Sequence, residues 1–178
     1  RSTFYYCQEV PHPALFCTMR MGKNLVTLKD VIYNDVFPCL ICAPLTTLHG
    51  WIDDIKKLGF TEKDYSVVVG TKKQKQKLIV EKKLIITNKE FYLSVPELIE
   101  KIDFKSVVLD ESTSIKNPVK FNKKTKKYSP AITKFYLEHF RDVKRRYILT
   151  GSPMDSHELD VYCQLQFLNP EIFNQKTY

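Results

Sequence analysis

No stretch of this 178-residue chain approaches the roughly 18 consecutive apolar residues of a membrane span, so none is expected. The opening residues, RSTFYYCQEV, lack the basic-then-apolar pattern of a secretory leader. They also lack an initiator Met, as expected of a fragment or a processed chain. No internal repeat, no clear linker and no low-complexity stretch beyond runs of lysine interrupts the sequence, which points to one domain or one lobe of something larger. No second cysteine pair accompanies the C-x-x-C of Cys39 and Cys42, so a zinc site is not expected. A strand would turn these two thiols to opposite faces. The five cysteines read as buried and reduced, and the compartment as reducing, the cytoplasm.

What is present is apolar and basic. The chain is 43% hydrophobic, enough to bury a real core, and carries a net charge of +8. The basic residues cluster at 71–83, 119–127 and 143–146. Such an excess on a compact domain suits an anionic partner, of which nucleic acid is the commonest; a solvated, lysine-rich surface is the plainer reading.

Apolar runs alternate with helix-spaced segments. Strands are predicted at 14–18, 37–44, 65–70, 83–88, 106–111 and 145–151. Helices are predicted at 22–34, 46–60 (stopped by Gly59), 71–80, 95–102, 131–140 and 157–168. Continuous apolar strands separated by helices predict an α/β fold with a mostly parallel sheet covered on both faces. Ligands of such sheets bind beyond the carboxyl ends of the strands.

Thr150 and Gly151 lie at one such end, and two others carry chemistry. After the strand at 14–18, Gly22 and Lys23 open a helix. First-turn N–H groups are unpaired there, Gly22 lets an anion approach the backbone, and Lys23 adds a charge for outer phosphates. The full G-x-x-x-x-G-K-[ST] pattern is not met: Cys17 takes the first glycine position, and Asn24 stands where a hydroxyl would. The other end is VVLDESTSIKNP (107–118), a core strand that stops in two carboxylates. A nucleotide brings magnesium, a hard cation that prefers oxygen ligands. Asp110 is the candidate magnesium ligand, and Glu111 the candidate to orient or deprotonate an attacking water. Read without Lys23, the same two acids are a surface pair at a loop start, with Ser112 or Thr113 as a helix cap.

These segments resemble, in order and spacing, the first lobe of a superfamily-2 helicase or translocase of the Swi/Snf-like group, most of all bacteriophage versions. MRMGKN (19–24) resembles motif I, CAPLTTLHGW (42–51) motif Ia, IITNKEF (85–91) motif Ib, and LDESTSIKNP (109–118) motif II. RRYILTGSPMDSHELDVYCQLQFLNPEIF (145–173) resembles motif III and the segment after it.

The resemblance implies a three-layer RecA-like P-loop domain over 1–178, with the family's second lobe, which supplies an arginine finger, outside this chain. It implies ATP and magnesium as cofactors and DNA as partner, with RNA not excluded. In a viral setting the compartment would be the host cytoplasm. Met19, Arg20, Met21, Gly22, Lys23 and Asn24 would form the nucleotide loop, with Asn24 and Asp110 at the metal. Thr150, Gly151 and Ser152 would couple nucleotide state to lobe movement. Pro44, Leu45, Thr46, Thr87 and Asn88 would touch a nucleic-acid strand. Lys116 and Asn117 would stabilise the loop after motif II, and Gln8 is a candidate for the glutamine that reads adenine. Trp51 reads as core rather than as a stacking platform. The alternatives are a degenerate, non-catalytic nucleic-acid-binding lobe and a small-molecule kinase, the latter disfavoured by motif III and FLNPEIF.

Overall fold

The computed structural model describes residues 2–18, 20–78, 81–91, 101–116, 119–122, 127–130, 132–154 and 158–172. In chain order the strands are β1 (Ala14–Phe16), β2 (Cys39–Cys42), β3 (Tyr65–Val68), β4 (Leu84–Thr87), β5 (Ser106–Asp110), β6 (Val119–Asn122), β7 (Lys127–Pro130) and β8 (Arg145–Thr150). Six of them form one sheet in the order β1-β8-β5-β2-β4-β3, with every neighbouring pair parallel. β6 and β7 pair separately as an antiparallel hairpin, where the sequence shows only a basic run. The helices are α1 (Ser2–Glu9), α2 (Lys23–Tyr33), α3 (Leu48–Lys57), α4 (Lys72–Leu78), α5 (Ile132–His139) and α6 (Tyr162–Leu168).

The apolar runs become interior strands because side chains on both faces are covered. On β2, Cys39 and Ile41 pack with Leu28, Val31, Trp51 and Ile55 of α2 and α3. The intervening Leu40 and Cys42 pack with Tyr136, Phe140 and Phe167 on the opposite face. Three layers result, with helices on both sides of a parallel sheet as predicted. The C-x-x-C thiols do point to opposite faces; both are free, and burial pushes each up to about 12. Gly59, at φ +86°, takes the left-handed conformation that ends α3.

Two expectations need revision, and one element, α1, is not marked by the sequence pattern. The helix expected over 157–168 opens as a 3-10 turn (Glu158–Val161) before α6 begins. The basic run at 143–146 is no surface patch: Arg145 and Arg146 are 8% and 4% exposed. Arg145 pairs with the buried Asp30 at 2.7 Å, and Arg146 donates to main-chain carbonyls including Leu168 O at 2.8 Å. The helix expected at 95–102 lies outside the described residues, except that Lys101 and Ile102 form a turn and bend.

Asp30 is the centre of a polar knot beneath α1. It accepts from Arg145 Nε, from Tyr147 OH at 2.6 Å and from the Gln8 amide, while Arg145 also donates to the Cys7 carbonyl. The side chain of Gln8 is therefore engaged two turns along α2 from Lys23, and the suggestion that it reads adenine is not supported. Burial, with the Asp30 hydrogen bond, drives the Tyr147 phenol well above its usual range.

Nearby, the half-buried His12 accepts from the Arg146 N–H through Nδ1 at 3.1 Å. Burial, then the charges of Arg146 and Arg145, lower its pKa to about 4. The unfolded chain takes up this proton near pH 6.5 and the folded chain does not, so stability is full above pH 6.5 and is lost as pH falls toward 4. Thermal melts from pH 7 to 4 should show this loss. His12→Asn keeps an acceptor for Arg146 but cannot titrate, so its melting temperature should fall less over the same range.

Candidate functional site

Because the sheet is parallel, its strands end on one rim, and the loops there run in the order of the strands. The register places Phe16 beside Thr150, Leu149 beside Asp110, and Cys42 beside both Leu109 and Thr87. The loop after β1, the 150–152 turn, the acid pair, the start of α3 and the loop after β4 thus share one edge. The sequence places the first three there; the topology makes them neighbours.

The loop from β1 to α2 is shaped by two left-handed residues, Arg20 (φ +64°) and Gly22 (φ +72°). Gly22 holds this backbone without steric cost; a non-glycine residue such as Arg20 does so with strain of the kind found at ligand sites. Gly22 is the N-cap of α2 and makes no side-chain cap, and the first helical bond runs from Val26 N to Gly22 O. The first-turn N–H groups are thereby left without a side-chain cap at the positive end of the helix dipole. Lys23 folds back over the loop, donating to Cys17 O at 2.7 Å and Thr18 O at 3.1 Å. Its ammonium is held across the place where an anion would sit. Arg20, Met21 and Gly22 are exposed and Asn24 is half-buried in the first turn. Met19 lies outside the described residues.

Asp110 ends β5 and is only 5% exposed. Its Oδ1 accepts from Glu111 N at 3.0 Å; its Oδ2 accepts from Trp51 Nε1 at 3.0 Å and faces Thr47 Oγ1 at 3.2 Å. Glu111 comes next at φ +50°, a second strained non-glycine residue. Thr150 Oγ1 lies 3.4 Å from Glu111 Oε2 and 3.2 Å from Ser152 O, while Ser152 N–H donates back to it at 3.2 Å. The expected coupling turn therefore touches the second acid directly.

Most residues missed by sequence reading lie next to residues it chose. Thr47 follows Thr46, and Trp51 sits one turn along α3. Lys89 follows Asn88 and sends Nζ to the Glu111 carbonyl at 2.8 Å. Burial lowers the pKa of Lys89, against the raising charges of Asp110, Glu111 and Glu90. The strand-terminating acids thus have a cation of the protein's own. Gln164 of α6, fully buried, accepts from Ser112 at 2.6 Å and donates to Pro153 O at 2.8 Å, joining the loops after β5 and β8. Lys116 lies 3.8 Å from Asp160, and Asn117 is outside the described residues. A strand-end polar residue beside a chosen one was the available signal for Thr47 and Lys89; nothing local marks Gln164.

Of the residues expected to meet nucleic acid, Leu45 and Thr46 are exposed, and Pro44 and Asn88 are half-buried. Thr87 is a correction: it is fully buried, and its hydroxyl donates to Val68 O at 2.7 Å, closing the end of the β3–β4 pair. Among the described residues, no three or more His, Cys, Asp or Glu side chains gather as a cage for a metal. Magnesium seldom uses such a cage; it takes one or two carboxylates and the phosphates of a substrate, which the Asp110 rim beside the β1–α2 loop fits.

Against known proteins, a model of the SNF2-related domain matches residues 10–178. The nuclear protein STH1/NPS1 of Saccharomyces cerevisiae is 24% identical over 171 residues, covering 90% of this chain and 12% of that protein. The SWI/SNF chromatin-remodeling complex subunit snf22 of Schizosaccharomyces pombe is 27% identical over 165 residues, covering 88% and 9%. The chain thus spans about a tenth of the length of these relatives. Among solved structures, the Sulfolobus solfataricus SWI2/SNF2 ATPase core in complex with dsDNA superposes with a TM-score of 0.73 at 27% identity, covering 97% of this chain and 34% of that one. These relatives are fungal and archaeal, and they lend no support to a bacteriophage character.

Proposed function

Because the chain belongs to the SNF2-related domain family, we propose that it is the ATP-binding lobe of an ATP-dependent DNA helicase or translocase, working with a second RecA-like lobe in the same or another chain. The observation that carries this reading is the shared rim: Lys23 over an uncapped helix start, and Asp110 and Glu111 at the end of a strand two places away in the sheet. Lys23 would leave the Cys17 and Thr18 carbonyls for the outer phosphates, which also meet the first-turn N–H groups of α2. Asp110, with Asn24, would hold magnesium, which neutralises charge on the phosphates. Glu111 would take a proton from water as that oxygen bonds to the terminal phosphorus and the bond to the ADP oxygen breaks. Thr150, Gly151 and Ser152 would respond to the terminal phosphate through the contact of Thr150 with Glu111. Leu45, Thr46, Pro44 and Asn88 would meet the nucleic-acid backbone, with Lys72 and Lys73 of α4 beyond the β3 edge adding charge.

The deciding experiment is titration of a fluorescent ATP analogue into the chain with magnesium and with chelator. Binding that needs magnesium supports the reading, and no binding at millimolar analogue sinks it. Asn24 favours one second reading, a nucleic-acid-binding lobe that has lost hydrolysis, since a longer, differently placed amide stands where a hydroxyl would ligate the metal.

DNA binding should be weak, poorly sequence-specific and strongly dependent on salt. The contacts envisaged go to phosphates, and each neutralised phosphate releases counterions. With several contacts, affinity should fall by one or more orders of magnitude between about 50 and 200 mM salt. A flat response in anisotropy titrations at those two concentrations would reduce the exposed lysines to a solvated face.

A further inference from the structure

The start of α3 connects two parts of the rim. Thr47, the N-cap residue of α3, has one hydroxyl proton and two acceptors in reach, Pro44 O at 3.1 Å and Asp110 Oδ2 at 3.2 Å. It can donate to only one at a time. Immediately before it stand the exposed Leu45 and Thr46. One turn later Trp51, fully buried, donates to the same Oδ2 at 3.0 Å. Enclosed on all sides, the indole cannot swing to solvent, so a shift of α3 must carry its N–H along. The other carboxylate oxygen, Oδ1, is held independently by Glu111 N.

We propose that Thr47 and Trp51 are positioning residues that carry nucleic-acid contact at 44–46 to the metal site at Asp110. The inference rests on the function proposed above and adds a route within one lobe. With α3 as it stands, two donors crowd Oδ2 and compete with a cation for its lone pairs. Contact that draws Thr47 toward Pro44 and shifts α3 relieves that competition. Nucleic acid should then tighten binding of the magnesium nucleotide, and the nucleotide should tighten nucleic-acid binding by the same factor.

Trp51 is the single tryptophan of the chain, so it reports on its own hydrogen bond. In the parent chain, saturating Mg-ATP should change tryptophan emission. A duplex oligonucleotide should tighten the fluorescent ATP analogue at least about fivefold, the low end of usual coupling. Thr47→Val keeps the volume and the tryptophan probe but removes the shared proton; its coupling should fall to within about twofold of none. Trp51→Phe should lose coupling likewise. Thermal melts establish that each variant folds, and Thr47→Val decides the matter should Trp51→Phe not fold. A folded Thr47→Val variant with the parent's coupling, a parent whose nucleotide affinity ignores DNA, or an emission spectrum unmoved by bound nucleotide would each overturn the proposal. Failure of the parent to bind the analogue at all would instead overturn the nucleotide reading, and is seen before any DNA is added.

Discussion

The purified chain should hydrolyse ATP slowly or not at all, and neither single- nor double-stranded DNA should bring it to rapid turnover. On the proposed reading the rim would supply a lysine, a carboxylate for the metal and a base. Reaction also needs charge neutralised on the far side of the transferring phosphoryl group, and an arginine finger that does this contributes roughly three to five orders of magnitude in rate. Arg145, Arg146 and Arg20 are otherwise employed or wrongly placed, the first two at the start of β8, the end away from the rim. Arg145 and Arg146 are buried and bonded to Asp30 and to carbonyls, and Arg20 lies on the β1–α2 loop itself, on the same side as Lys23. Phosphate release measured with and without DNA is the check. Rapid DNA-stimulated turnover by this chain would refute the half-site picture and require self-association or an internal finger. Coupling between the two ligands, as proposed for α3, concerns binding and is compatible with negligible turnover.

Lys23→Ala should weaken ATP binding by roughly 10- to 150-fold, the worth of a charge-assisted hydrogen bond of about 1.5–3 kcal/mol. The fold should survive. Lys23 is half-buried at the mouth of the loop, and its bonds to the Cys17 and Thr18 carbonyls lie close enough to solvent for water to replace them. Alanine is also a good residue at a helix start in propensity terms. Titration of the analogue against both proteins, with melts to show equal folding, measures the effect. Equal affinities would show that the β1–α2 loop does not bind phosphate.

Much of this was legible because it is local. A strand such as Val107–Leu109 announces itself by an apolar run, and Gly22-Lys23 and Asp110-Glu111 mark strand ends by breaking one. The six strands of the sheet and most helices were placed to within a few residues for that reason. What the sequence conceals is which strand ends are neighbours. That Thr150 reaches Glu111, or that Lys89 reaches across β2 to the Glu111 carbonyl, follows from the order of the sheet, and strands next to one another in space are far apart in the chain. Residue type misleads where burial overrides it. Arg145 and Arg146 read as surface charge, yet they are consumed inside. Thr87 reads as a loop contact, yet it spends its hydroxyl on Val68. Trp51 reads as core, which it is, while the one polar atom of its ring does separate work.

The knot at Asp30 also sets a timetable. α1 leaves the ribosome before the rest of this lobe, but the last contact that holds it to the body, Arg145 on the Cys7 carbonyl, forms only when a residue 138 positions after Cys7 has been made. At about 5–20 residues per second that wait is on the order of 7–28 s. During it the carboxylate of Asp30 lacks its guanidinium, and α2, which opens at Gly22 and Lys23, lacks its anchor to β8. Until then the nascent lobe carries an unanchored helix, and a ribosome paused before Arg145 holds α1 without that contact.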